Sequence, residues 1–406
     1  MAKSPVEVWL WLLMVMQPFN SKTNYILSQC GNDATRACRD IRDGRFPFLS
    51  DGEKRRAAEV RNGAVYEIMR TCAEHNVRII TLDDDEYPVL LKCTEKPPVV
   101  LFVAGSLAGL NDRLSIATVG AREVTDYSVK TANYLCEPLA RAGAAIVSGL
   151  AVGSDTAAHR ACLNAGGRTI GVAGCGILVN YPKESAGLKR EIVDSGGAII
   201  SELMPTARSF GAYFHERNRI ISGLANGTLV IQAAESSGSL LTAAHAIRQE
   251  RALFAVPPHD ISSPVYRGNA NLIREGALSA ADPRDITDWF RKHSIDDEEL
   301  LRKVAELTSR IAAKKPPARL GSPVSRKPKK PEKSPEERDS VVDETVFESL
   351  SENETALLKL ISAAPADSDT LMDKSDMDFG ELSEALTNLE IDGCITRTPE
   401  GLYARA

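Results

Sequence analysis

The chain has 406 residues, 49 of them Lys or Arg and 55 Asp or Glu, with 43% hydrophobic and 5% aromatic side chains. That length holds more than one domain and a large core, and its formal net charge of -6, if evenly spread, would exclude a nucleic-acid partner. The charge is segregated instead. Residues 1–313 carry 36 basic and 36 acidic groups, residues 314–333 eight Lys/Arg against one Glu, and residues 339–406 four basic against sixteen acidic groups. A neutral body, a basic strap and an acidic tail follow, so only local patches bear on partners. The eight cysteines form no Cys-x-x-Cys pair and no Cys/His ligand spacing. They read as free thiols of a reducing cytosol, and neither a metal nor a cofactor is expected.

Residues 1–76 read as a small helical domain. Residues 8–16 are an apolar run too short to span a bilayer, and the single Lys3 before them makes a poor signal peptide. A buried first helix of a cytoplasmic protein fits better. A second helix starts after an Asn20 or Ser21 cap, and a third covers 33–41. A longer one starts at Asp51 and runs through Ala58, Val65, Ile68, Met69 and Cys72 at helical spacing. No basic cluster marks the turns, which favours a packing or interaction module over a nucleic-acid-binding hairpin.

The pattern changes at Val77. Residues 77–82 and 99–103 are strand-like, and strands and helices then alternate. Strands are predicted at 115–119, 144–147, 169–173, 198–201, 228–232 and 252–256, and helices at 126–142, 154–164, 184–194 and 239–249. A polar loop bearing Arg217 and Arg219, followed by a helix, fills the interval before 228. This alternation demands right-handed crossovers and a mostly parallel, doubly wound sheet, an α/β Rossmann-like domain over 77–295. Residues 296–345 are a helical extension and a Pro/Lys-rich linker, read as disordered because it has little to bury. Residues 346–406 suggest three helices, the last at 379–392, and a hairpin, an acidic winged-helix-like domain. Its third helix would face DNA but holds Glu381, Glu384, Glu390 and Asp392 and no Lys or Arg. It is expected to contact a protein partner and not DNA.

In an open parallel sheet, ligands bind outside the carboxyl ends of the strands. Those ends gather Gly120-Ala121-Arg122, residues 148–155, Gly174-Cys175-Gly176 leading to Tyr181-Pro182-Lys183, Ser201-Glu202, residues 214–219, residues 236–239 and residues 257–260. Gly and Ser allow close backbone approach to phosphate, helix N-termini add partial positive charge, and Arg122, Lys183, Arg217 and Arg219 add cations. That set fits a phosphodiester backbone or a nucleotide. Phe214 can stack on a base or fill the core. Asp155 and His159, at i and i+4, can pair, which gives them a supporting role; a catalytic role with Ser148 as nucleophile is the weaker reading. Arg217 and Arg219 can alternatively form ion pairs with Glu202 or Glu216. There is no Walker A sequence and no GxGxxG, so ATP hydrolysis of that type and dinucleotide binding are disfavoured.

These motifs resemble the DprA/Smf family of bacterial DNA-processing proteins. The resemblance rests on Asp85-Glu86-Tyr87-Pro88, Lys96-Pro97-Pro98, Val119 to Arg122, Ser148 to His159, Tyr181 to Lys183, Ile200 to Glu202, Phe214 to Ile220, Ser237 to Ala243 and Gly268 to Ala277, in order and at the right spacing over residues 77–287. It implies a non-enzymatic, dimeric protein that binds and protects single-stranded DNA without sequence preference. Such a protein hands the strand to a RecA-type recombinase during natural transformation. Carried over, Arg122, Lys183, Phe214 and Arg219 look like DNA contacts. The Ser148-Gly149 and Ser237-Gly238-Ser239 turns look like backbone contacts to phosphate. Gly120, Arg217 and Asn271 complete the expected interface, with Asp155, His159, Glu202 and Asn218 in support. Val152, His215, Gln232 and Pro258 depart from the family pattern. Val152 stands where a basic residue is common, and Gln232 is expected to remove a negative charge from the rim. The rival reading is a nucleotide-binding hydrolase of the Rossmann-like phosphoribohydrolase type, with Glu202, Arg217 and Asp155 around a ribose phosphate, although its Pro-Gly-Gly-x-Gly-Thr signature is absent.

Overall fold

The structure is a computed structural model that describes residues 5–293, 352–375, 377, 382, 385, 386, 389, 394–398 and 402–405. The expected basic strap and most of the 379–392 helix lie outside the described residues. The chain divides into two units, Met1–Ala312 and Ala313–Ala406.

Five helices open the first unit: α1 (Val6–Met16), α2 (Ser21–Gln29), α3 (Ala34–Arg42), α4 (Asp51–Glu59) and α5 (Asn62–Glu74). Asn20 caps α2 by accepting from the Lys22 N–H at 2.9 Å, and Ser50 with Glu53 forms a capping box on α4. The single long helix expected from Asp51 is two helices. Val60 and Arg61 are extended between them, and the turn lets α5 bury Val65 and Cys72. These helices have no core of their own. Trp9, Leu12, Ile26, Ile41 and Val65 share one cluster with Val100, Phe102 and Ile199 of the sheet.

The remaining elements of the unit are β1 (Arg78–Thr81), α6 (Val89–Lys92), β2 (Val100–Gly105), β3 (Ser115–Val119), α7 (Asp126–Arg141), β4 (Ala145–Ser148), α8 (Ser154–Asn164), β5 (Thr169–Val172), α9 (Ala186–Asp194), β6 (Ala198–Ser201), α10 (Gly211–Gly223), β7 (Gly227–Val230), α11 (Ser239–Arg248), β8 (Ala252–Ala255), α12 (Arg267–Arg274), β9 (Leu278–Ser279) and α13 (Pro283–Lys292). They form a nine-stranded sheet ordered β1-β2-β6-β5-β4-β3-β7-β8-β9. β2 pairs antiparallel with β1 and β6, and every other pairing is parallel. Alternate residues serve opposite faces: Ile116 and Ile146 pack with α7 and α8, while Ala117 and Val147 pack with Ile220 and Ile221 of α10. Strand order reverses between β3 and β7, so a crevice opens beyond their carboxyl ends. The two-residue β9 escaped the sequence reading.

In the second unit, α14 (Glu352–Ala363) and α15 (Ser368–Lys374) pack with a hairpin of β10 (Ile395–Arg397) and β11 (Tyr403–Arg405). Leu382, Ala385, Leu386 and Leu389 are helical and buried with Leu357, Leu371, Ile395 and Tyr403. Their 3–4 residue spacing puts them on one face of the third helix. No helix among the described residues is long and apolar enough to cross a membrane.

Candidate nucleic-acid interface

The loop after β3 clamps the start of α8. Gly120 packs against the Ser154 side chain, and the Ser154 N–H is taken by the Ala121 carbonyl at 3.0 Å. Arg122, next in line, is exposed and makes no ion pair among the described residues. Lys183 is likewise exposed and without an ion-pair partner, in a short 3-10 turn after β5. Both follow carboxyl ends of strands, β3 and β5. Val152 is an exposed apolar residue in the turn before α8.

The paired arginines do not lie in a loop ahead of a helix. They sit inside α10, which starts at Gly211, and both are 6% exposed. Arg217 donates to the carbonyls of Gly149 and Val172, tying the ends of β4 and β5 together. Burial pulls its guanidinium down to about 10, against the opposing influence of Asp155. Arg219 pairs with Glu202, donates to the Lys96 carbonyl at 2.6 Å and lies 3.8 Å from Glu216, which also meets Lys96 at 3.4 Å. Both arginines are framework. Arg217 Nε and Nη1 and both Nη atoms of Arg219 are engaged inside the protein, as the alternative ion-pair reading of these arginines requires, while Arg219 Nε has no hydrogen-bond partner. Burial pushes the Glu202 carboxyl up, and Arg219 holds it down in part. Asn218 supports Arg217 at 3.3 Å.

The turn after β4 is also built inward. Ser148 is buried and donates to the Thr118 carbonyl at 2.6 Å, and Gly149 is buried. A Cβ on Gly149 would lie 2.6 Å from Asp155 Oδ2 and 2.7 Å from Arg217 Nη2, so only glycine lets this pair approach the strand end. Asp155 accepts from the Ala151 N–H at 3.2 Å, and burial pushes its carboxyl up. The expected Asp155–His159 pair does not form. His159 is fully buried, its Nδ1 lies 2.6 Å from Thr169 Oγ1, and its Nε2 has no partner. Burial pushes its pKa down to about 3, so the ring is neutral.

The Ser/Gly turn is partly self-satisfied. Ser237 Oγ and Ser239 Oγ are 2.8 Å apart, and the Leu240 N–H is taken by the Ser237 carbonyl at 3.0 Å. Gly238 is the exposed member. Asn271, half-buried on α12, accepts from Arg274 at 3.0 Å and is not drawn into the crevice wall. Its neighbour Asn269 does that work. It is fully buried, accepts from the Ala233 N–H at 2.6 Å and donates to the carbonyls of Val230 at 3.0 Å and Val256 at 2.9 Å. It joins the ends of β7 and β8. Gln232 is 2% exposed; it accepts from the Thr125 N–H and donates to the Glu123 carbonyl, both at 3.0 Å. It is therefore a buried bridge and not a missing rim charge.

Phe214 is half-buried, its ring lying on Gly174, where a Cβ would come within 2.5 Å. Tyr181, which the sequence reading left out of the site, covers it at a centroid distance of 5.3 Å and is 43% exposed. Arg217 lies 5.8 Å from the other neighbour, the Phe214 ring centre. The outward aromatic of this wall is thus Tyr181, two residues from Lys183. The sequence places it on the rim within Tyr181-Pro182-Lys183, and its exposure is what singles it out there.

A doubly wound, mostly parallel sheet with exposed cations at the carboxyl ends of its strands defines a Rossmann-like α/β protein. The DNA recombination-mediator protein A family matches residues 78–291, and the DprA winged helix domain matches residues 328–401. Protein Smf of Escherichia coli is 38% identical over 224 residues, a match covering 55% of this chain and 59% of that protein. DNA processing protein DprA of Bacillus subtilis is 36% identical over 228 residues, covering 56% and 76%. The X-ray structure of DNA processing protein A from Streptococcus pneumoniae superposes with a TM-score of 0.62 at 30% identity, covering 71% of this chain and 98% of that one. The chain belongs to the DNA recombination-mediator protein A family.

Proposed function

We propose that this chain binds single-stranded DNA without sequence preference and passes it to a RecA-type recombinase on DNA arriving by natural transformation. It acts in the cytoplasm, as a homodimer, and catalyses no reaction. The observation that carries this reading is the pair of exposed cations, Arg122 and Lys183, that make no ion pair among the described residues, together with the exposed Tyr181 ring over Phe214 two residues from Lys183. Free cations bind phosphates, and stacking on a ring tolerates every base. Family membership supports a role in recombination. Dimerisation doubles the track and raises affinity through effective concentration.

The hydrolase reading loses its candidate groups. Glu202 is held by Arg219, Arg217 by two strand-end carbonyls, and Asp155 accepts from the Ala151 N–H. The acidic C-terminal unit is assigned to a protein partner. Binding to oligo-dT of increasing length tests the main reading. Affinity should rise over several nucleotides and fall when Arg122 and Lys183 are replaced by Ala. Saturation by a mononucleotide, with no gain from longer strands, would overturn it.

A further inference from the structure

A second exposed ring stands at the start of α10. Phe210 is the N-cap residue and is 39% exposed. It is four residues before Phe214, one helical turn, or about 6 Å along the axis. Phe210 meets Tyr213 edge-on at 5.4 Å, and Tyr213 is backed by Phe19 at 5.5 Å. The ring therefore has a packed support behind it.

The segment before α10 is fixed to the loop that carries Tyr181 and Lys183. The Gly176 N–H donates to the Ala207 carbonyl at 2.8 Å, and the Leu178 N–H to the Pro205 carbonyl at 2.9 Å. Arg208, two residues before Phe210, is exposed and makes no ion pair among the described residues. Cation and ring here repeat the combination at Lys183 and Tyr181. Gly211 beside the ring and His215 further along α10 are exposed. A nucleotide needs only a ring face and a nearby cation.

We propose that Phe210, seated on Tyr213 and flanked by Arg208, is a second base-stacking position, which takes the nucleotide adjoining the one at Tyr181 and Phe214. The proposal rests on the single-stranded-DNA reading and extends the strand's path along α10.

The test compares the full chain with Phe210→Ala and Phe210→Trp, using labelled oligo-dT and abasic strands of the same length. Stacking is worth about 1–3 kcal/mol per base; for a ring this exposed the lower end applies. Phe210→Ala should bind oligo-dT roughly five- to tenfold more weakly, bind the abasic strand as the wild type does, and keep its melting temperature. Phe210→Trp should restore the affinity. If Phe210→Ala binds oligo-dT normally while Arg122→Ala with Lys183→Ala loses it, the second position is wrong and the function reading stands. Equal weakening on oligo-dT and abasic strands would show that the ring does not read bases. Unchanged DNA binding with weakened recombinase binding would make Phe210 a protein contact. If the wild type binds no oligo-dT, the function reading fails and this position fails with it.

Discussion

Arg122 and Arg219 are both motif arginines, and burial separates their roles. Arg122 is exposed and unpaired among the described residues, whereas Arg219 is 6% exposed and bound to Glu202. Removing one partner of a buried pair strands the other charge, at a cost of about 3–5 kcal/mol. Arg219→Ala should therefore lower the urea midpoint sharply, and Arg122→Ala should leave it unchanged while weakening DNA binding. Denaturation and binding curves for both variants check this, and equal stability of the two would contradict it. His159 gives a pH prediction. Its folded pKa is near 3 and its ordinary value 6.5, so between these values the unfolded chain takes up the extra proton. Its contribution to stability is complete above pH 6.5 and is lost as pH falls toward 3, by about 2 kcal/mol at pH 5. His245, pushed down to about 4 by burial, adds to the same slope. His159→Gln should flatten the decline in stability between pH 7 and pH 5 without abolishing it. The pairing of Arg219 with Glu202 and Glu216 was legible in the sequence as the alternative to ligand contact. The choice between Asn269 and Asn271 was not, because they differ only in which of them α12 turns toward the strand ends.

The strands of the parallel sheet were legible as elements because short β-branched runs buried on both faces alternate with helical periodicity. The start of α10 was not. Gly211 opens the helix with no side-chain cap, and its polar run resembles a loop. The break after α4 was hidden because Val65, Ile68 and Cys72 continue a helical spacing across extended Val60 and Arg61. α10 links sheet and site: it buries Ile220 and Ile221 against the sheet and rests Phe214 on Gly174. Gly174→Ala would put a Cβ 2.5 Å from the Phe214 ring. Such overpacking costs about 1–3 kcal/mol and should displace Phe214 and Tyr181 together. Affinity for oligo-dT should fall several-fold while binding to an abasic strand, set by Arg122 and Lys183, holds. An equal loss on both strands would show that the cations had moved as well.

The molecule's net charge misleads as a sum and informs as a distribution: residues 1–313 carry 36 basic and 36 acidic groups, so only local cations such as Arg122 and Lys183 bear on an anion there, whereas the last sixty-eight residues, 339–406, hold sixteen acidic groups against four basic. That tail has its own core around Leu357, Leu371, Leu386 and Tyr403. Expressed alone, residues 339–406 should fail to retard DNA at moderate salt, and retardation would refute the assignment to a protein partner. The central claim is that Arg122 and Lys183 hold phosphates. Its most direct measurement is the dependence of oligo-dT affinity on salt concentration for the wild type and the Arg122→Ala/Lys183→Ala variant. The log–log slope should be steep for the wild type and shallower by roughly 1.4 in the variant, about 0.7 for each lost contact with a single strand. An unchanged slope would mean that neither residue meets a phosphate and that the strand, if it binds, takes another path.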